Sequence, residues 1–421
     1  MVPPALWLYR ALVAATLPFL APWLAFRARS RGTHRPPLLP RLGRRLPPAP
    51  RHGVWVQAVS VGEVAVARPL LAELRRRQPG LPLILSATTA TGLQVASGAQ
   101  VADAVLPFPL DLPHAISRYL DTVDPRLVVL VETELWPELL HGCGRRDIPV
   151  ALVNARVSDA SFRGYEPIRA ILRPLLRPVT RVLAQSDLDA VRLATMGIAP
   201  EKIEVVGNIK FDAAPPGAEP HVIGELRRLA GNRPVLVAGS TMSGEDDSVL
   251  DAILALPGAR RPFVILAPRH PERAAEALEA ATSRGLAALR RTHLDGAPAP
   301  CDVVVLDTIG ELAALYAMAT VAFVGGSLGP TGGHNPIEPA RHGVPVLTGP
   351  NVRNFAAVYD SFFQSGAARV VRDHGELSAA IAAFLADPEL ARAAGEAGRD
   401  LLARNAGATA RTVDALERLL A

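Results

Sequence analysis

The chain has 421 residues, of which 49% are hydrophobic and 20% are charged, and its formal net charge is +5. This length is too great for one ordinary domain, so two domains of about 150–200 residues are expected. The two cysteines, Cys143 and Cys301, stand far apart with no metal or redox spacing. This excludes a disulfide framework and favours a reducing compartment.

The N-terminus is apolar. Residues 11–26 carry no charge and residues 2–9 are also apolar, so Arg10 is the only interruption. A spanning helix needs about 20 apolar residues, so this segment predicts a short membrane anchor or a helix lying in the interface. Seven arginines follow between residues 27 and 45, which places the rest of the chain on the cytoplasmic side by the positive-inside rule. A cleaved signal peptide is the alternative, but the charge follows the apolar run and no small-residue cleavage site is present.

Strand and helix patterns then alternate regularly. Several strand patterns are continuous apolar runs, which is typical of parallel strands buried on both faces. The predicted strands are 54–60, 81–87, 104–109, 127–132, 149–155, 181–186 and 203–208, and after a break 234–240, 261–268, 302–307, 321–326 and 345–349. Helices are predicted between them, for example over 63–77 and 167–176, and close the chain from about residue 376.

This alternation predicts an α/β fold of two doubly wound, Rossmann-like halves with a cleft between them. The break is rich in Pro, Gly and Ala, as a linker would be. The predicted organisation is a membrane anchor (1–30), a basic Pro-rich connector (31–52), a first Rossmann-like domain (53–211), a linker (212–220) and a second Rossmann-like domain (221–421).

Polar residues that follow strands are the main candidates for ligand binding and catalysis, because open α/β sheets bind ligands outside the carboxyl ends of their strands. In the first half, Glu63 follows the first strand and Glu132 ends the fourth, so the two carboxylates could supply a general base and an electrostatic partner. Ser60 and Glu63 also have the spacing of a capping box, so Glu63 could equally be a helix cap. Lys202 and Lys210 are the only lysines of the chain.

In the second half, Arg269 follows a predicted strand and is placed for a bidentate grip on a phosphate. The alternative is that Arg269 and Arg273 are solvated charges at a helix start. Residues 307–311 follow the next strand, where Thr308 and the backbone could flank a nucleobase or simply cap a helix.

The glycine-rich stretch 321–350 reads as a strand, a loop with glycines at 325, 326, 329, 332 and 333, a helix opening at Asn335-Pro336 and a second strand at 344–347. Glycines let a backbone approach a ligand closely, and the N-terminus of the following helix would favour a phosphate. Glu338, one turn into that helix, could hold a ribose or close a capping box. Two-domain sugar-nucleotide glycosyltransferases hold their donor with a loop of this build. We give His334 a structural role.

Metal chemistry finds little support. Asp187 and Asp189 have the D-x-D spacing that chelates a metal in some glycosyltransferases, but they directly follow Ser186 at a helix start, where acidic residues favour the dipole. We therefore interpret them as structural. No His/Cys cluster indicates zinc and no P-loop indicates a kinase or ATPase.

Together these motifs resemble the 3-deoxy-D-manno-octulosonic acid (Kdo) transferases of bacterial lipid A and lipopolysaccharide synthesis. The resemblance rests on the apolar N-terminus and on motifs that occur in the family's order along almost the whole chain. They are VSVGE (59–63), ETELWP (132–137), NAR (154–156), GNIKFD (207–212), PRHPER (268–273), GEL (310–312) and GGHNPIEP (332–339).

The resemblance implies a GT-B fold, a CMP-Kdo donor, no metal or other cofactor, and work at the cytoplasmic face of the inner membrane. By position, it makes Glu63 the general base and gives Glu132 and Lys210 the task of stabilising the transition state. The residues it implies for CMP binding are Pro268, Arg269, Ile309, Gly310, Glu311, Asn335, Pro336, Ile337 and Glu338.

The acceptor implied by the family is the lipid A precursor, a phosphorylated and acylated disaccharide in the membrane. The basic, apolar segment 163–181 could meet its phosphates and the anionic bilayer surface, or it could be a solvated helix face. No nucleic-acid partner is expected. The alternatives are a GT-B enzyme using a UDP-hexosamine donor, a GT-B-like sugar-nucleotide epimerase, and a membrane-tethered nucleotide-binding module without chemistry.

Overall fold

The computed structural model describes residues 2–29, 37–212, 222–294 and 301–421, and the side chains of all of these except 17–29. The chain divides into two units, Met1–Ala213 with Asn405–Ala421, and Ala214–Arg404. Each unit contains one seven-stranded sheet. The α/β architecture with two Rossmann-like halves is therefore confirmed.

The first unit is built on a sheet in which all neighbouring strands run parallel. Its strands are β1 Val54–Ala58, β2 Leu83–Ala87, β3 Ala104–Pro107, β4 Leu127–Val131, β5 Val150–Ala155, β6 Arg181–Ala184 and β7 Ile203–Val205. Their order is β3-β2-β1-β4-β5-β6-β7, so the direction of winding reverses between β1 and β4. Strands β1, β2, β4 and β5 are buried along their whole length, as their apolar runs predict.

Helices cover both faces of this sheet, and two apolar clusters form the core on either side of it. The helices are α1 Pro4–Arg29, α2 Leu38–Arg41, α3 Val61–Arg77, α4 Ala90–Gly98, α5 Pro113–Val123, α6 Pro137–Gly144, α7 Asp159–Tyr165, α8 Arg169–Leu176 and α9 Asp187–Thr195, with 3-10 turns at Glu166–Ile168, Pro200–Lys202 and Ile209–Asp212.

The second unit repeats this plan. Its strands are β8 Val235–Thr241, β9 Phe263–Pro268, β10 Ala288–Arg290, β11 Val303–Val305, β12 Val321–Val324, β13 Val346–Thr348 and β14 Ala368–Val370. They run parallel in the order β10-β11-β9-β8-β12-β13-β14, with the reversal between β8 and β12. The helices are α10 Val222–Ala230, α11 Glu245–Leu254, α12 Ala274–Ser283, α13 Leu312–Leu315, α14 Ile337–Arg341, α15 Ala356–Ser365, α16 His374–Ala386 and α17 Pro388–Asn405, with 3-10 turns at Gly258–Arg260, Pro271–Arg273, Arg291–His293, Tyr316–Met318 and Arg353–Phe355.

The C-terminus returns to the first unit. Helix α18 (Ala408–Leu420) packs on α3 and adds Val413, Leu416 and Leu420 to the core there. Asp212 holds its start, since its carboxylate accepts hydrogen bonds from the backbone N–H of Gly407 at 2.8 Å and of Thr409 at 2.6 Å. The predicted second domain, 221–421, is therefore too long: it ends at 404 because the last helix buries its apolar face on the first unit. The predicted linker, beyond Asp212, lies outside the described residues.

The first turns of α1 are docked on the first unit. Leu6 is fully buried, and α1 packs against α6 and α8. Tyr9 donates a hydrogen bond to Asp111 at 2.9 Å, and Arg10 donates to both carboxylate oxygens of Glu138, at 2.5 and 2.9 Å. Arg10, which interrupts the apolar sequence, is thus half of an ion pair. No helix within the described residues combines the length and apolar character needed to cross a membrane.

Candidate functional site

In the first unit, the predicted catalytic residues gather where the winding of the sheet reverses. Strands β1 and β4 are neighbours there, with Gln57 paired to Leu130, so both end at the same edge. Glu63 lies in the first turn of α3, after β1, and Glu132 directly follows β4. This is the position at which doubly wound sheets bind their ligands.

Glu63 is a helix cap, as one of the two interpretations requires. Ser60 begins α3 by accepting a hydrogen bond from the N–H of Glu63. The Glu63 carboxylate in turn accepts from the N–H of Val59 at 2.6 Å and from the hydroxyl of Ser60 at 3.0 Å. Both carboxylate oxygens are thereby held in a fixed direction, and the side chain is almost wholly buried. The cap does not conflict with a chemical role, because a carboxylate oxygen has more than one lone pair.

The surroundings of Glu63 favour proton transfer near neutral pH. The pKa of its carboxyl is raised to about 7, chiefly by burial and also by the negative charge of Glu132, against the hydrogen bonds from Val59 and Ser60 and the charge of Lys210. A general base works best when its pKa lies near the operating pH. Glu63 therefore has the protonation behaviour that such a base needs.

Glu134 is a third carboxylate in this cluster. Burial and the charges of Glu63 and Glu132 raise its pKa to about 7. Sequence reasoning quoted Glu134 within ETELWP but gave it no role, because β4 ends at Val131 and the alternation of strand side chains no longer indicates direction beyond it.

Lys210 supplies the positive charge of the cluster. Its ammonium group lies 2.8 Å from a carboxylate oxygen of Glu132, and the two side chains are 20% and 31% exposed. Glu132 reaches this position through a backbone with a positive φ of 61°, which is uncommon for a residue with a side chain. The structure therefore brings all three residues predicted to be catalytic, Glu63, Glu132 and Lys210, into one electrostatic cluster.

A buried polar network sets the position of Lys210. Asn154, at the end of β5, accepts a hydrogen bond from the N–H of Ile209 at 3.0 Å, and Gln185 donates to the Asn154 carbonyl at 2.8 Å. Asn208 donates to Gln185 at 2.9 Å and accepts from the N–H of Lys210 at 3.0 Å. Asn154 and Asn208 belong to the NAR and GNIKFD motifs, whose role sequence reasoning left undefined. They align the lysine.

In the second unit, the glycine-rich loop also lies where the winding reverses, since it follows β12, the neighbour of β8. Strand β12 begins at the predicted residue 321 and ends two residues before the predicted 326, and β13 begins two residues after the 344 predicted for the glycine-rich stretch. The helix α14 is only five residues long, so its dipole is weak. The N–H of Ile337 already bonds to the side-chain oxygen of Asn335 at 3.1 Å. We predicted that unpaired N–H groups at the start of this helix point at a phosphate. For the N–H of Ile337, the first of the helix, that prediction is wrong.

The first amide groups of the loop are occupied as well. The carboxylate of Glu245, at the start of α11, accepts hydrogen bonds from the N–H groups of Gly326, Ser327 and Leu328 at 2.6–2.8 Å. The backbone N–H groups of these three residues are therefore not free to bind a ligand. No sequence signal links Glu245 to a loop about 80 positions away, and the pairing emerges only when β8 and β12 become neighbours.

Arg269, Glu338 and His334 share one electrostatic environment. Burial raises the pKa of Glu338, against a hydrogen bond from the Asn335 amide (3.3 Å) and the charge of Arg269. Burial and the charge of Arg269 lower the pKa of His334. Arg269 directly follows Pro268, the last residue of β9, and is exposed. Within the described residues its guanidinium makes no hydrogen bond or ion pair, so it can accept an anionic ligand.

Arg273 has a different role. It forms an ion pair with Asp246 at 2.6 Å and is only 16% exposed, so the interpretation as a solvated charge is wrong for this residue. Around 309–311, Ile309 is 87% exposed, whereas Glu311 is held by Arg291 at 2.7 and 2.9 Å. Gly310 between them has a φ of 93°. The loop thus presents Ile309 to solvent, while Glu311 already has a cationic partner.

Asp189 of the D-x-D pair has the structural role interpreted from the sequence. Asp189 accepts a hydrogen bond from Ser186 at 2.5 Å and another from the N–H of Val157 at 2.9 Å, so it anchors the start of α9. Over the residues that the structure describes, no group of three His, Cys, Asp or Glu side chains is placed to hold a metal ion.

A basic, open pocket lies beside α8 in the first unit. It has a volume of about 890 Å³, and its lining includes Arg169, Arg173, Arg177 and Lys202. The Lys202 ammonium donates to the carbonyls of Arg177 and Val179 at 3.0 and 2.6 Å, which fixes it in the pocket wall. The predicted basic segment 163–181 therefore forms one side of a concave surface.

Comparison with known proteins gives consistent matches. A family model described as 3-Deoxy-D-manno-octulosonic-acid transferase (kdotransferase) matches residues 35–213. The 3-deoxy-D-manno-octulosonic acid transferase of Bordetella pertussis is 39% identical and aligns over 97% of this chain and 98% of its own. The protein of that name from Haemophilus influenzae is 35% identical over 88% of each chain. The crystal structure of UDP-GlcNAc 2-epimerase from Neisseria meningitidis aligns with a TM-score of 0.54 over 87% of this chain and 100% of that one; at 14% identity, this likeness shows the fold alone.

Proposed function

The chain belongs to the 3-deoxy-D-manno-octulosonic acid (Kdo) transferase family of glycosyltransferases, and from this premise we propose its reaction. It transfers Kdo from CMP-Kdo to the lipid A precursor, lipid IVA, with inversion at the anomeric carbon. The observation that carries the proposal is the cluster of Glu63, Glu132 and Lys210 at the switch point of the first sheet. A general base for the acceptor hydroxyl, and a carboxylate held in place by a lysine for the oxocarbenium-like transition state, are the groups that this reaction requires.

Glu63 accepts the proton of the acceptor hydroxyl. As the hydroxyl oxygen forms its bond to C2 of Kdo, the bond from C2 to the phosphate oxygen breaks and CMP leaves with the electron pair. Attack from the face opposite the leaving group gives inversion. The raised pKa of Glu63, about 7, lets it act as a base without holding the proton too weakly. Such a base contributes about 10²–10⁴-fold to the rate.

Glu132 and Lys210 stabilise charge in the same step. The carboxylate of Glu132 favours the positive charge that builds at C2, and Lys210 keeps that carboxylate in place at 2.8 Å. Their partial exposure makes the resting ion pair weak. Desolvation by bound substrates would strengthen both interactions.

The second unit holds the nucleotide. Arg269, which has no anionic partner within the described residues, binds the phosphate of CMP in a charge-assisted contact. Pro268, the exposed Ile309 with Gly310 and Glu311, and the segment of Asn335, Pro336, Ile337 and Glu338 surround the remainder of CMP. Because Arg269 neutralises the leaving phosphate, the proposal involves no metal or organic cofactor.

The first unit attaches to the cytoplasmic face of the inner membrane. In α1, Trp7, Leu8 and Leu12 are exposed, at 60%, 48% and 57%, and α1 packs against α8, whose arginines line the basic pocket. Exposed apolar side chains beside basic ones are typical of helices that lie in an anionic membrane interface. We therefore propose that α1 lies at the surface and that the pocket at α8 meets the phosphates of the acceptor.

Purified protein incubated with CMP-Kdo and lipid IVA tests the proposal. The acceptor is expected to gain mass by one or more Kdo units, and CMP is expected to compete with the donor far better than UDP does. A UDP-hexosamine transferase would reverse that preference, an epimerase would turn over its donor without acceptor, and a binding module would do neither. Glu63→Ala is expected to abolish transfer and to keep CMP binding; near-normal transfer by this variant would leave Glu63 as a cap only.

A further inference from the structure

Two adjacent carboxylates at the start of α11, Glu245 and Asp246, are not among the residues predicted for the site. Both are 2% exposed. The helix begins directly after β8, at the switch point of the second sheet, so the two side chains lie between the loops that follow β9 and β12. Burying two neighbouring carboxylates is costly unless each is fully hydrogen-bonded. Their partners therefore indicate what they do.

Glu245 organises the glycine-rich loop. One carboxylate oxygen accepts from the N–H groups of Met242 (2.8 Å) and Gly326 (2.6 Å), and the other accepts from those of Ser327 and Leu328, both at 2.8 Å. A carboxylate with four N–H donors occupies the kind of concave amide cluster that binds phosphate in other proteins. In this chain the protein's own anion fills it.

The loop is shaped around that carboxylate. A Cβ at Gly325 would lie 2.8 Å from a Glu245 oxygen and 2.7 Å from the Cα of Thr241, so only glycine admits the contact. From the other side, the hydroxyl of Ser327 donates to the Val324 carbonyl and accepts from the N–H of Gly349, both at 2.8 Å. The loop from 325 to 328 is therefore held from within before any ligand arrives.

Asp246 holds the other loop. It accepts from the hydroxyl of Thr241 at 2.5 Å and pairs with Arg273 at 2.6 Å. The carbonyl of Thr241 in turn accepts from the N–H of Arg269 at 2.9 Å. Through these bonds Asp246 fixes both ends of the segment 269–273, which carries the exposed guanidinium of Arg269.

We propose that Glu245 and Asp246 are positioning residues for the donor site: together they preorganise the glycine-rich loop and the Arg269 loop, and they touch no substrate themselves. The proposal rests on the second unit binding CMP-Kdo. The backbone N–H groups of residues 326–328 then bind Glu245 rather than the phosphate, and Arg269 is the group that binds the phosphate. Preorganised loops favour binding because the ligand then does not have to order them.

Glu245→Gln is the direct test, with Asp247→Asn as the matched control. Glutamine replaces one acceptor oxygen by an NH₂ donor, so two of the four backbone N–H groups lose their acceptor in either orientation. Asp247 lies in the same turn and has the same charge, but it is 52% exposed and pairs with Arg284. It therefore controls for the charge at the helix start.

Hydrogen exchange across 321–335 is expected to become about tenfold faster or more at Gly326–Leu328 in Glu245→Gln and to stay unchanged in Asp247→Asn. In steady-state assays the donor KM should rise about tenfold, whereas kcat at saturating donor and the acceptor KM should change less than about twofold. A merely structural defect would lower activity without this split. Unchanged exchange and donor KM in Glu245→Gln would overturn the proposal.

Should Glu245→Gln not fold, Glu245→Asp serves instead, since the shorter side chain keeps the charge but cannot reach all four N–H groups. Faster exchange in that variant supports the proposal, and wild-type exchange overturns it. For the second carboxylate, Asp246→Ala should speed hydrogen exchange at 269–273. Exchange there at the wild-type rate would refute the claim that Asp246 orders this segment. A wild-type protein that transfers no Kdo would refute the proposed function, while the exchange data would still decide whether the carboxylates order the loops.

Discussion

Replacing Arg10 by methionine should destabilise the first unit although the residue lies in the N-terminal helix. Arg10 makes a two-pronged ion pair with Glu138, at 2.5 and 2.9 Å, and the two side chains are 23% and 3% exposed. Methionine keeps the apolar stem of the side chain and removes the charge. The Glu138 carboxylate is then left buried without its cation, at the start of α6.

The size of the effect follows from this burial. Removing one partner of a buried ion pair costs about 3–5 kcal/mol, because the other charge is left uncompensated. Water reaches the partly exposed Arg10 side, so we expect a lower value, about 2–4 kcal/mol. For a unit of this size that corresponds to a fall in Tm of about 4–15 °C.

Tryptophan fluorescence isolates the relevant transition, since all four tryptophans lie in the first unit. Denaturant unfolding of wild type, Arg10→Met, Glu138→Gln and the double variant then gives the coupling energy of the pair. The double variant should lose less than the sum of the single losses, by at least about 1 kcal/mol. Arg51→Met is the control, because its pair with Asp124 is 58% and 41% exposed and should contribute less than about 1 kcal/mol. A loss for Arg10→Met no greater than that of Arg51→Met, or strict additivity, would refute the reasoning.

Three further predictions concern the reaction and the C-terminal helix. The kcat/KM of wild type should fall as pH drops through about 7, because the base must be ionised and burial raises the pKa of Glu63 to about 7; a pH profile with no acid limb would contradict this. Since the charge of Lys210 lowers the pKa of Glu63, the acid limb in Lys210→Met should move to higher pH, and an unmoved limb would count against their coupling. Asp212→Ala should cost about 1–2 kcal/mol in the fluorescence transition by removing the cap of α18, and an unchanged midpoint would mean that the cap is dispensable.

The sheets were predictable because their strands are apolar runs of strand length. All twelve predicted strands are present, most with bounds within two residues. The two missed strands, Ala288–Arg290 and Ala368–Val370, are three-residue edge strands of mixed polarity, with neither a continuous apolar run nor an alternation to reveal them.

Contacts between distant parts of the chain were not predictable. Asp212 begins a segment whose composition predicts a linker, yet it caps a helix that begins almost 200 positions later. The glycines at 325 and 326 indicate close approach, and the structure confirms that something approaches. The approaching groups are the Glu245 carboxylate, which contacts both residues, and the His334 ring at Gly326, rather than a ligand. Local patterns report conformational freedom, and only the folded topology decides which group uses it.

The candidate catalytic residues were predictable only in part. Glu63 and Glu132 were predictable from their places after β1 and β4, since the carboxyl ends of parallel strands share one sheet edge. Lys210 was assigned a role only through the family resemblance. Its position depends on the network of Asn154, Gln185 and Asn208, which lie at or just after the ends of three different strands.

The most direct test of the central claim compares wild type and Glu63→Ala with CMP-Kdo and lipid IVA, with the acceptor mass and CMP affinity measured on the same preparations. We predict Kdo addition by the wild type, none above background by Glu63→Ala, and the same CMP affinity for both. Transfer by Glu63→Ala at a rate near that of the wild type, or the absence of transfer by the wild type in the presence of both substrates, would contradict the account.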